Sequence, residues 1–314
     1  MIVTVTPNPS LDRTVLIGEL RRGAVHRAEE VRLDPGGKGV NVARTLVAAD
    51  RPTTCVLPTG GTEGTCLAEL LAPEAVPVVE VPVGTATRSN VTLVESDGTT
   101  TKLNEPGNAL SGAEIAALEE RTAELATRAD WVVACGSLPA GCPEDLYGRL
   151  VRAACAAGAR VAVDTSGPPL REACRARADL VTPNLAELSE LAERPLDRLG
   201  DVVDVAGSVQ REGVSTVLVS LGADGALLVE GDSAWHATGA TALVRSTVGA
   251  GDALLAGFLI AGARGPAALR HAVAYGSAAV QLPGSRMPTP DDLNFEPVRV
   301  VDVDESLTLN GTAA

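Results

Sequence analysis

Over most of its length the chain alternates short β-branched runs with amphipathic stretches, and this alternation restricts the fold more than any single motif does. Residues 131–134, 160–163, 179–181 and 216–219 each read as a buried strand followed by a turn and a helical pattern. Parallel strands need long crossovers, which helices supply, so the pattern predicts an α/β fold with a mostly parallel central sheet flanked by helices. Composition agrees. Apolar residues make up 45% of the chain but aromatic ones only 2%, so Val, Leu, Ala and Ile must fill the interior, as they do around buried parallel strands. The clearest helix spans 111–129, where Ser111 and Glu114 form a capping box and Ile115, Leu118, Thr122 and Leu125 share one side.

Two stretches, 11–34 and 85–105, break the alternation. Residues 13–17 and 89–94 read as strands without helices between them, and Ser96, Asp97 and Gly98 supply a hairpin turn. The expectation is a small β-sheet lid beside an α/β core made of 1–10, 35–84 and 106–295, with 296–314 as a loosely held C-terminal tail. Exposed lid strands invite pairing between copies, which favours a homodimer through the lid.

The net charge of −14 argues against general affinity for nucleic acid or anionic membrane, because the field of the whole molecule repels polyanions. Any anion must be captured locally. Of 26 basic residues only Lys38 and Lys102 are lysines, and Lys38 falls inside a glycine cluster. The N-terminus enters a strand pattern with no basic leader, and no apolar run approaches the ~18 residues of a membrane span, so a cytoplasmic location is expected. Six scattered cysteines, without a C-x-x-C pair, read as buried free thiols and not as a zinc or redox site.

The strongest chemical signal lies at 246–258, where a small-residue loop runs into an apolar helix. Gly249, Ala250 and Gly251 let the backbone approach a phosphate, and the free N–H groups of the helix start point at it. A carboxylate there would repel a bound phosphate. Asp252 therefore suits accepting a hydroxyl proton as a phosphoryl group arrives; the plainer alternative is a helix-start residue placed for the dipole. The second cluster, Gly36, Gly37, Lys38, Gly39 and Asn41, lacks the Ser or Thr of a Walker A loop and reads as a different anion site. Arg88 and Asn90, two apart on a strand, share a face. Two cations, Lys38 and Arg88, are the candidates for capturing an anionic group locally.

The run from Thr247 to Asp252 (Thr-Val-Gly-Ala-Gly-Asp), together with the early Gly-Gly-Lys-Gly-x-Asn-x-Ala, resembles the two signatures of the PfkB-type carbohydrate kinases of the ribokinase superfamily. The resemblance covers nearly the whole chain and includes Asn8, Asp12, Thr87 to Asn90, Asn104 to Gly107, Gly136 to Pro139, Asp164 to Gly167 and Val219 to Gly222. It implies a ribokinase-like fold, ATP as cosubstrate with Mg2+, and phosphorylation of a ketohexose phosphate. Fructose 1-phosphate giving fructose 1,6-bisphosphate is the leading expectation. Tagatose 6-phosphate and fructose 6-phosphate stay open as acceptors, and a non-catalytic sensor of sugar phosphate or nucleotide is the reading from another class. The resemblance makes Asp252 the base and residues 249–251 the anion hole. It places Asp12, Gly37, Lys38, Asn41, Arg88, Asn90 and Ser137 on the sugar phosphate, and Asn184, Ser220, Gly222, Gly225 and Thr247 on ATP. Asn184 and Glu187 would hold the magnesium through water, although their spacing equally makes an ordinary helix cap. Two departures stand out: Thr182 where relatives often carry lysine, and Pro58 and Thr59 interrupting an apolar strand.

Overall fold

The computed structural model describes residues 1–239 and 244–310. In chain order the first half comprises β1 (Ile2–Val5), β2 (Ser10–Ile17), β3 (Glu30–Gly36), α1 (Lys38–Ala48), β4 (Thr53–Thr59), α2 (Gly61–Leu71), β5 (Val78–Pro82), β6 (Arg88–Glu95), β7 (Thr100–Asn104), α3 (Gly112–Ala126) and β8 (Trp131–Cys135). The second half continues with α4 (Leu146–Ala156), β9 (Arg160–Asp164), α5 (Gly167–Arg175), β10 (Leu180–Val181), α6 (Leu185–Ala192), α7 (Leu199–Arg211) and β11 (Thr216–Ser220). It ends with β12 (Ala226–Glu230), β13 (Ser233–Thr238), α8 (Ala250–Ile260), α9 (Gly265–Ala279) and β14 (Arg299–Asp302).

Ten strands form one sheet in the order β14-β13-β12-β11-β10-β9-β8-β1-β4-β5, and β3-β2-β6-β7 form a second. The run from β11 to β5 is parallel, and β12, β13 and β14 extend it as antiparallel strands. Alternation puts successive side chains on opposite faces. Along β8, Val132 and Ala134 pack under α3 to α7, while Trp131, Val133 and Cys135 meet the layer made by α1, α8 and α9. Each leucine or valine so buried contributes roughly 1.5–3 kcal/mol, and small aliphatic residues let the layers approach closely.

Helix α3 starts at the expected capping box, with Ser111 accepting from the Glu114 N–H and Glu114 accepting from the Ser111 N–H. It stops at Ala126, short of the expected 129. The 96–98 turn joins β6 to β7 as an antiparallel hairpin. Pro58 does not interrupt β4: it lies beyond Val56, the last residue paired with β1, so its missing N–H leaves no gap in that ladder.

The C-terminal stretch departs from expectation. β14 pairs with β13 over four residues, and Leu309 is buried in the core, so 296–310 is fastened to the sheet and is not a loose tail. Ladder hydrogen bonds and one buried leucine hold what looked polar and unpatterned. The last four residues of that expected tail, 311–314, lie outside the described residues. Of the six thiols, Cys55, Cys135 and Cys174 are buried, Cys66 and Cys142 partly so, and Cys155 is exposed, which corrects the uniform expectation. No helix among the described residues is long and apolar enough to cross a membrane.

Candidate active site

The chain runs from β1 outward through β4 to β5, then returns to β8 on the other side of β1 and proceeds outward again. That reversal opens a crevice at the carboxyl ends of β1 and β8, where open α/β sheets bind ligands. Side chains from both sides meet over it: Asn8, after β1, donates to the Ser137 hydroxyl, after β8, at 3.2 Å.

On one flank stands the start of α8. Gly249 takes a left-handed φ of 75°, which reverses the chain into the helix and which glycine adopts without strain. Ala253 is the first residue of the turn to close a backbone bond at normal length, to the Gly249 carbonyl at 2.8 Å; the Ala250 N–H reaches Thr247 only at 3.5 Å. The N–H groups of Gly251 and Asp252 have no backbone acceptor among the described residues, so the helix start offers donors to an anion. Asp252, one turn in, is 6% exposed, and its Oδ2 accepts from Asn41 Nδ2 at 2.8 Å.

Asn41 lies on α1, whose first residue is Lys38. The Lys38 ammonium donates to Asp164 Oδ1 at 2.7 Å and lies 3.8 Å from Glu187 Oε1. Three carboxylates and one ammonium thus share the mouth of the crevice. Burial raises the Asp252 carboxyl to about 7, the Asp164 charge pushes in the same direction, and Lys38 and Asn41 oppose both. For Lys38, burial alone would favour the neutral amine, but Asp164, Glu187 and Asp252 outweigh it and hold the ammonium's pKa above the ordinary lysine value. Its side chain keeps 38% of its surface accessible, so solvent screening weakens these attractions. Burial likewise raises Glu187, against the pull of Lys38 and of the Asn184 N–H.

The small sheet supplies the other flank. β2 pairs with β6 so that Asp12 faces Asn90 and Ser10 faces Arg88. Asp12 Oδ1 accepts from Ser10 Oγ at 2.7 Å and from Asn90 Nδ2 at 2.9 Å. A Cβ on Gly36 would fall 2.4 Å from Asp12 Oδ2, so the glycine cluster is demanded partly by this carboxylate lying over it. The Arg88 fork was expected to be free for a phosphate. Instead Nη1 donates to the Glu105 carbonyl and Nη2 to the Asn8 carbonyl, at 2.9 and 3.0 Å, while the buried Nε has no partner among the described residues. Burial lowers the guanidinium's pKa, with Asp12 and Glu105 opposing.

On the far side of β9, Asn184 caps α6. Its Oδ1 accepts from the Glu187 N–H and Glu187 Oε2 accepts from the Asn184 N–H, both at 2.9 Å, so the ordinary capping box is present. Glu187 Oε1 is left facing Lys38. Asn184 bridges to Ser220, and the next residues form the turn Gly222–Asp224 and Gly225. Thr247 is exposed beside the α8 loop, and the Thr182 hydroxyl is buried without a partner among the described residues.

The structure gathers Asp252, Asn41 and Lys38 at one point, and Asp12, Asn90, Arg88 and, through Asn8, Ser137 at a second. Lys38 was expected on the sugar phosphate, yet here it pairs with the carboxylates of β9 and α6. Asp164 and Asn8 carry much of this arrangement and were not singled out as site residues from sequence. Both stood in matching motifs directly after or at the carboxyl end of a strand, which is the signal that finds them.

The chain matches the family described as pfkB family carbohydrate kinase over residues 8–292. It is 38% identical over 297 residues to 1-phosphofructokinase from Rhodobacter capsulatus, covering 93% of this chain and 94% of that protein. It is 35% identical to ATP-dependent 6-phosphofructokinase isozyme 2 of Escherichia coli, covering 93% and 96%. The structure of phosphofructokinase-2 from Escherichia coli in complex with potassium superposes with a TM-score of 0.88 at 35% identity, covering 93% of this chain and 96% of that one.

Proposed function

Since the chain belongs to the pfkB family of carbohydrate kinases, we propose that it transfers the γ-phosphoryl group of ATP to fructose 1-phosphate, yielding fructose 1,6-bisphosphate and ADP. It is an ATP-dependent sugar-phosphate kinase. The observation that carries the mechanism is the buried Asp252 at a helix start where the N–H groups of Gly251 and Asp252 have no backbone acceptor among the described residues. The C6 hydroxyl attacks the γ-phosphorus, its proton passes to the Asp252 carboxylate, and the bond to the ADP oxygen breaks. Residues 249–251 place their amides where charge accumulates on the transferring group. Asn41 fixes the orientation of the Asp252 carboxylate, and Lys38 offsets negative charge between nucleotide and acceptor.

Asp12 and Asn90 receive the sugar hydroxyls, and Arg88, Ser137 and Gly37 surround the substrate phosphate. Arg88 does so with its spare Nε, which is buried and unsatisfied. Ser220, Gly222, Gly225, Thr247 and Asn184 line the nucleotide. The pair most suited to Mg2+ is Glu187, whose Oε1 makes no hydrogen bond, with Asn184 beside it. Partly buried and raised in pKa, that carboxylate gains from a nearby cation, and the donor set suits an ion held through water, with phosphates able to complete its shell. The ion would screen the phosphates' charge. Residues 11–34 and 85–105 act as a lid over the crevice, and two copies pair through it, in keeping with Val31 and Leu103 at 48% and 58% exposure. The same reading puts the enzyme in the cytoplasm, where ATP is at hand.

Fructose 6-phosphate is the second reading, favoured by the similarity to isozyme 2 of Escherichia coli. ADP release with ATP and Mg2+ is to be compared for fructose 1-phosphate, fructose 6-phosphate and tagatose 6-phosphate at equal concentration. Preference for fructose 1-phosphate is expected. Preference for a 6-phosphate keeps the chemistry and reverses the sugar in the site.

A further inference from the structure

The turn that follows β11 is held from a direction the proposed reaction does not explain. Asp224, within the turn Gly222–Asp224, accepts two hydrogen bonds from one residue 86 positions away: Oδ2 from the Asn310 N–H at 2.8 Å and Oδ1 from Asn310 Nδ2 at 2.5 Å. Its carbonyl oxygen lies 2.7 Å from Nε2 of His236, which is 5% exposed on β13. The turn also closes on itself, Leu221 N–H to the Gly225 carbonyl at 2.8 Å. Every polar group of Asp224 is therefore occupied, and its carboxylate is spent wholly on the C-terminal segment.

That segment is itself anchored. Leu309 is 8% exposed and belongs to the same core cluster as Val219, Leu221 and Leu227. Its N–H donates to the Asp197 carbonyl at 2.9 Å, and the Leu307 carbonyl accepts from Leu199 at the start of α7. Residues 305–310 thus run as a strap from α7 to the turn. On its other edge the turn adjoins Ser220, whose N–H donates to the Pro183 carbonyl, next to Asn184.

We infer that Asn310 and Asp224 are positioning residues for the nucleotide: the strap fixes the turn in the shape that receives ATP, without itself touching the reacting atoms. The inference rests on the proposed placement of ATP against Gly222 and Gly225, and deepens it. Coupling of this kind is reciprocal, so bound nucleotide must in turn hold the strap more firmly.

The test uses the full chain and the variants Asn310→Ala, Asp224→Asn and their combination. Asn310→Ala removes only the side-chain bond of an exposed residue, and thermal melting checks that each variant folds. Binding of a non-hydrolysable ATP analogue with Mg2+ is measured by calorimetry, with no sugar present. Each single variant is expected to weaken it by roughly three- to tenfold, the double variant by less than the product of the two, because both remove one interaction. In steady-state assays the KM for ATP rises, while kcat and the KM for the sugar phosphate stay within about twofold, a split that general destabilisation does not produce. In the wild-type chain the analogue is expected to slow amide exchange at Leu309 and Asn310. Equal nucleotide affinity in wild type and variants overturns the inference and leaves the kinase reading intact. A wild-type chain that binds the analogue but phosphorylates none of the three sugars sinks the reaction and not the strap, and one that binds no nucleotide overturns both.

Discussion

At the residue scale, the base proposed at the mouth of the crevice comes at a cost in stability. Asp252 is raised to about 7 by burial first and by the Asp164 charge second, so its proton is lost at a pH where an exposed aspartate is long ionised. A carboxyl whose pKa is higher folded than unfolded favours the fold at low pH, and that advantage is lost as pH rises from the ordinary aspartate range through about 7. Asp252→Asn removes this cost. Turnover is expected to fall by at least ~10²-fold, as for loss of a general base, while the variant melts roughly 2–4 °C higher than wild type at pH 8 and shows no such gain near pH 4. Retained turnover would sink the base assignment. With Asp252 as the proposed base, the acid limb of kcat/KM is expected near pH 7. In Asp164→Asn the limb moves to lower pH, because a repelling charge is gone and Lys38 is released toward Asp252. A limb that stays put would show that another group titrates.

At the scale of elements, α1 does more than carry Lys38 and Asn41. Arg44, 7% exposed, makes a bidentate pair with Glu74 beyond α2, both bonds at 2.8 Å, and donates to the Ser285 carbonyl at 3.0 Å. Met287, two residues on, lies against Gly249: a Cβ there would meet its sulfur at 3.0 Å. One guanidinium thereby ties α1 to the loop that backs the Gly249 turn. Glu74→Ala leaves that guanidinium buried without its counter-charge, and urea unfolding is expected to show a loss of about 3 kcal/mol. A change within about 0.5 kcal/mol would mean that the carbonyls of Ser285 and Pro35, the latter 3.5 Å from the guanidinium, suffice. A capping box and a glycine loop made the starts of α3 and α8 legible from sequence, since caps act within one turn. The Arg44 pair was not legible, because its partners come from three separate segments.

For the whole molecule, the two sheets divide the proposed site residues: Asp252, Lys38 and Asn41 belong to the large layer, and Asp12, Arg88 and Asn90 to the small one. Under the proposed reaction, transfer to a hydroxyl and not to water calls for the two to close on the substrates. Amide exchange in β2, β3, β6 and β7 is expected to slow when ATP and the sugar phosphate bind together, more than with either alone; identical exchange in all states would remove the lid. The alternation of strand and helix, the aromatic-poor interior, the helix-free stretches and the two glycine clusters were readable because each is a local pattern, written in neighbouring residues by the periodicity of strand and helix. The local patterns at Asp252 and at the glycines around Lys38 already pointed to anion chemistry. What only the tertiary structure decided was which charges meet. Lys38 pairs with Asp164 across 126 positions, Asn41 with Asp252 across 211, and the C-terminal stretch becomes a strand and a strap. Such pairings depend on strand order and helix packing, which set distances in space that no spacing along the chain records.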